Sequence, residues 1–179
     1  MKHLTAVILG TVIALAAMSA RAQLVIEITQ GMDNPTPIAV VPFAWQGGGA
    51  PPADVAQVID DDLARSGQFE PVDRGDMLAR PTTQEQVFYR DWRAINSDYV
   101  LTGRVSVTGP VQMRIEYELF DVNRQARVLH GYEEGHVNEA RMLSHRVADE
   151  VYETLTGIPG AFATRLLYVS VTRNPGGKD

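Results

Sequence analysis

The chain contains no cysteine in 179 residues, so no disulfide can staple it and stability has to come from core packing. It has no run of basic residues, and 16 Lys and Arg stand against 22 Asp and Glu, a formal charge of −6. That balance argues against nucleic acid or anionic lipid as a partner. After the first residues no second apolar stretch approaches the ~20 residues needed to cross a bilayer. No P-loop, G-x-G-x-x-G or H-E-x-x-H motif is present, and no repeat or low-complexity segment interrupts the chain. Tryptophan is scarce as well: Trp45 and Trp92 are the only two, and core packing is their expected use.

What is present begins with a leader. Lys2 and His3 precede an uncharged stretch from Leu4 to Met18, and small residues follow at Ala20 and Ala22. This is the pattern of a Sec-type signal peptide over residues 1–22, cleaved before Gln23. The leader has no cysteine behind it, which excludes a lipid anchor. Removing it leaves 157 residues, enough for one domain, and because Lys2 and Arg21 leave with it the formal charge becomes −8. The mature chain is expected to be soluble in a periplasm.

Strands and helices are legible in the periodicities. Leu24 to Thr29 alternates apolar and polar positions as a half-buried or edge strand does, whereas "PIAVVPF", Pro37 to Phe43, is apolar nearly throughout and reads as a central strand covered on both faces. A helix is predicted from Ala53 to Arg65, behind Pro51 and Pro52 and ahead of Gly67. "FEPVD" is a short strand and "VFYRDWRAI" a second helix. Asp98 to His136 holds three strand-like runs separated by Gly109-Pro110 and Asn123, an antiparallel meander. A last helix from Asn138 to Leu155 puts Ala140, Leu143, Val147, Val151 and Leu155 on one side and His145, Asp149 and Glu153 opposite, and Gly157 ends it. Together these predict an α/β fold with helices packed against a mixed sheet.

The candidate chemistry is sparse. "QGGGAPP" has the placement of a phosphate loop but no Lys, and it opens into Asp54, which would repel an anion. Asp60, Asp61 and Asp62 point about 100° apart on a helix and cannot converge on one metal ion. Asp62 falls on the core face with Val55 and Ile59, where an unpaired charge is costly, so backbone N–H groups or an Arg are expected to hold it. His145 and Asp149 are i, i+4 neighbours without the further ligands a metal needs, and Ser144 lies on another helix face and cannot pair with His145 as a nucleophile. The helix geometry is expected to keep His145 and Asp149 away from Asp62, which disfavours a hydrolase built on the three. His130, Tyr132, Glu134 and His136 share one strand face and read as a polar outward surface. No catalytic residue, metal site or cofactor emerges.

"PIAVVPF" with Trp45, "DLARSGQFEPVDR" (Asp62 to Arg74), Trp92, "DYVLTGRV" and "HRVADEVYETLTGIPGAFATRLLYV" (His145 to Val169) resemble the TolB amino-terminal domain. Asn96 stands where such chains often have Gly, a departure confined to a turn. The resemblance implies a mixed sheet of five to six strands with helices against it, like an anticodon-binding domain, over residues 23–165. It also implies that 166–179 begins a linker and a first propeller strand, so that Leu166 to Val171 lacks its blade. The role implied is a non-catalytic periplasmic adaptor with no cofactor. Members contact the inner-membrane protein TolA, through its carboxy-terminal domain, by their mature amino terminus, and the lipoprotein Pal by the propeller; Pal engagement therefore does not follow for this chain. The TolA-contacting segment corresponds to Gln23, Leu24, Val25, Ile26, Glu27, Ile28, Thr29, Gln30, Gly31 and Met32. Asp62, Trp92 and Gly157 are the expected structural positions. The alternative is a stand-alone α/β module that binds some other periplasmic protein.

Overall fold

The computed structural model describes residues 34–164. The expected terminal strand, Gln23 to Met32, and the run from Leu166 to Val171 lie outside the described residues. The elements in chain order are β1 (Thr36–Val40), β2 (Ala44–Gln46), α1 (Val55–Arg65), β3 (Phe69–Pro71), α2 (Tyr89–Ala94), β4 (Tyr99–Val107), β5 (Gln112–Asp121), β6 (Ala126–His136) and α3 (Ala140–Thr156).

Six strands form one mixed sheet in the order β3-β1-β4-β5-β6, with β2 pairing the far end of β4. β1 runs parallel to both β3 and β4, and β2 parallel to β4, because helical connections separate them in sequence. The three runs after Asp98 form the antiparallel meander β4-β5-β6. A bulge between Leu119 and Phe120 shifts the β5-β6 register.

The apolar character of β1 has a direct cause. Ile38 and Val40 enter a large core with Ile59, Leu63, Leu101, Leu119, Val147 and Val151, while Ala39 and Val41 enter a second, smaller core around Trp92 with Val87, Val100, Phe120 and Val122. Both faces of β1 are therefore covered. The second core covers only part of its face of the sheet. Further along, that face carries ion pairs between Arg104 and Glu116 and between Arg127 and Glu118, and a third in which Arg114 lies 2.7 Å from Glu134.

Helix ends differ from expectation by local chemistry. α1 starts two residues after Ala53 because Asp54 takes the cap, its Oδ1 accepting from the Gln57 amide at 3.0 Å. α3 starts at Ala140 rather than Asn138 because Val137–Glu139 winds as a tighter 3₁₀ turn, with His136 Nδ1 accepting from the Asn138 amide at 3.1 Å. It ends where Gly157 adopts φ +74°, and the Gly157 amide donates to the Glu153 carbonyl at 2.8 Å. Asn96 has φ +55° in the turn between α2 and β4, a conformation natural to Gly that Asn tolerates better than most residues.

Candidate functional site

The polar centre of the described domain is a contact between α1 and α3. Val55, Val58, Ile59 and Leu63 turn one side of α1 into the core, and Asp62 goes in with them, fully buried. Arg65, one turn on, donates from Nη1 to Asp62 Oδ1 at 3.0 Å. His145 Nδ1 lies 2.5 Å from Asp62 Oδ2, so the imidazole meets the carboxylate's second oxygen. The Arg partner matches the physical expectation, whereas the placement of His145 corrects it. α3 is covered on two sides, by the sheet beneath and by α1 along its flank. A residue opposite the sheet-facing stripe therefore still meets protein. Only 15% of the His145 side chain is accessible.

Asp149, another member of the expected polar side, does not join this contact. Its carboxylate accepts the backbone amides of Phe162 and Ala163 at 2.6 and 3.1 Å. Ser144 is buried, and its Oγ donates to the Ala140 carbonyl at 2.8 Å, directed back along its own helix. An aspartate-oriented imidazole supports nucleophilic chemistry only with a nucleophile in reach. Here the neighbouring hydroxyl and carboxylate are engaged elsewhere.

The glycine-rich loop before α1 is closed by its own side chains. Trp45 Nε1 donates to the Gly49 carbonyl at 3.0 Å, and the indole lies where a side chain on Gly47 would stand. At the helix N-terminus, Asp54 accepts from Arg74 Nη1 and Nη2 at 2.8 and 3.1 Å. The Arg74 hydrogen bond holds the Asp54 carboxyl below its ordinary range, so an internal anion occupies the place a phosphate would take.

Asp60 behaves in the opposite way. Burial raises its carboxyl from 3.8 to about 6, against the attraction of Arg74 and with added repulsion from Asp61, Asp54 and Asp73. Its Oδ1 is buried without a hydrogen-bond partner. Between those two values the folded state binds the proton more readily than the unfolded state, so stability is present below pH 4 and is lost as the pH rises through about 6. Asp60→Asn is expected to be more stable than the parent at pH 7 and to flatten the decline between pH 4 and 6, as read by urea unfolding at several pH values. Equal pH profiles for the two proteins would contradict this.

On β6, register sets His130 opposite Glu118, Tyr132 opposite Glu116 and Glu134 opposite Arg114. The Arg114 guanidinium also lies 4.6 Å from the Tyr132 ring centre. The four residues His130, Tyr132, Glu134 and His136 thus belong to a cross-strand polar lattice. No group of three or more potential metal ligands occurs among the described residues. Also among these, no helix is long and apolar enough to cross a membrane. Sequence reasoning missed Arg74 as the partner of Asp54 and Glu150 as the partner of the Tyr117 hydroxyl. Separations of 20 and 33 residues leave no periodic signal for either contact.

This arrangement defines a small α/β domain in which Asp62, His145 and Asp149 are committed to internal contacts and in which, among the described residues, β6 is an edge strand. Its relatives place it more narrowly. The chain belongs to the TolB amino-terminal domain family, which matches residues 24–128. It is 42% identical over 173 residues to the Tol-Pal system protein TolB of Pseudomonas fluorescens, covering 97% of this chain and 40% of that protein. It is 50% identical over 153 residues to the protein of the same name from a Marinomonas species, covering 85% of this chain and 35% of that one. The crystal structure of TolB from Acinetobacter baumannii superposes with a TM-score of 0.63 at 31% identity, over 76% of this chain and 32% of that one. The chain thus spans about 40% or less of the length of these relatives.

Proposed function

We propose that this chain is a non-catalytic periplasmic adaptor of the Tol-Pal system, and that TolA engagement is the function it carries. The observation behind this reading is that 97% of the chain matches a Tol-Pal system protein at 42% identity. The leader directs export and is cleaved before Gln23. The new terminus then presents Gln23 to Met32, in which Leu24, Ile26 and Ile28 alternate with Val25, Glu27 and Thr29. Such a segment can add its backbone to the edge of a foreign sheet, where main-chain hydrogen bonds give affinity and alternate side chains give specificity. TolA, driven from the inner membrane, pulls on that strand and so couples energy to outer-membrane constriction during division. Protein import through the envelope uses the same linkage. Pal engagement belongs to the propeller in the family and is not assigned to this chain.

A titration of residues 23–179 against a TolA carboxy-terminal domain, with and without residues 23–32, tests this. Binding is expected to be lost with the segment, and equal affinity for the two forms would refute the reading. The edge position of the 11-residue strand β6 favours a second reading, a module that takes an extended peptide there. In that case binding survives the deletion.

A further inference from the structure

α3 does not simply stop at Gly157. Thr156 Oγ1 donates to the Tyr152 carbonyl at 2.7 Å and accepts the Ile158 amide at 3.1 Å. The chain then folds back along the helix until the amides of Phe162 and Ala163 reach the two carboxylate oxygens of Asp149, at 2.6 and 3.1 Å. Bonds from N–H groups to an ionised carboxylate are roughly twice as strong as neutral ones. The Phe162 ring stands edge-on to Tyr152 at 5.6 Å, and Tyr152 stands edge-on to Phe69 at 6.0 Å. Gly160 lets the return pass this close, since a Cβ there would lie 2.4 Å from Asp149 Oδ1 and 2.5 Å from Asp149 Cα.

We infer that Asp149 anchors a rigid exit: one carboxylate fixes the direction in which the chain leaves α3, so that the return as far as Thr164 moves with the helix. The last residues of a domain are ordinarily poorly ordered unless something ties them down. Here the same helix is joined to α1 through His145 and Asp62, and to the sheet through Glu150 and Tyr117. A load on the exit is therefore transmitted into the body of the domain. The inference goes beyond the Tol-Pal reading and stands without it.

Amide hydrogen exchange of the mature chain tests the anchor. The amides of Phe162 and Ala163 are expected to be protected, and Asp149→Ala to speed their exchange at least tenfold while Val147 to Val151 keep parental rates. Should Asp149→Ala raise exchange throughout, Gly160→Ala decides, because it displaces the carboxylate from a partly exposed turn. A rise confined to residues 160–164 in that variant supports the anchor. Parental rates at Phe162 and Ala163 in Gly160→Ala, or free-peptide rates there in the parent, overturn it.

Discussion

Replacing His145 with alanine is expected to lower the unfolding free energy by about 3 kcal/mol, the upper end of the range for leaving a buried acceptor oxygen without its hydrogen-bond partner. Asp62 is fully buried, and its Oδ2 contacts the imidazole at 2.5 Å. Arg65 reaches only Oδ1, from a side chain that is 62% accessible, so solvent weakens its contribution. Asp62→Ala should cost less, about 1–3 kcal/mol, since Arg65 returns to water and the imidazole alone loses its hydrogen bond. The double variant should then cost less than the two single losses together, because each removes the same contact. Guanidinium unfolding at pH 7 with unchanged slope measures all three. A His145→Ala protein within about 1 kcal/mol of the parent would show that the contact carries little energy.

Trp92→Ala is expected to cost about 3–5 kcal/mol, the usual result of emptying a buried tryptophan site. The indole is 1% accessible and sits among Ala39, Val41, Val87, Val100, Phe120 and Val122. α2 is six residues long, too short to hold a helix without tertiary contacts, and Trp92 is its one buried residue. Removing the side chain thus unpins the segment covering that part of the sheet. Trp92→Phe should cost far less, because the indole Nε1 is buried without a partner and its loss frees no acceptor. Denaturation followed by circular dichroism separates the two variants. Equal loss in both would mean that ring volume does not set the energy of this core.

The sequence made most of the sheet legible and little of its ionic wiring. β4, β5 and β6 are readable because their runs alternate and are bounded by Gly109-Pro110 and Asn123, and β1 because it is apolar on both faces. β2 was not readable: three residues around Trp45 pair with β4 without a pattern of their own. Burial of Asp62 was legible from the helical period of α1, since Ile59 and Asp62 share a face. The partner His145 was not, because one helical wheel shows a single buried direction and α3 has a second, supplied by α1 from 83 residues away. The partners of Asp149 were not legible either, since they are backbone amides of the chain's own return, which side-chain periodicity does not encode.

The proposed role rests on backbone groups of the processed terminus being free to join another sheet. Amide exchange across Gln23 to Met32, with and without a molar excess of a TolA carboxy-terminal domain, tests it most directly. The account predicts fast exchange in the free chain and strong protection in alternate residues of that segment once TolA is added. Protection already complete in the free chain and unchanged by TolA would contradict it.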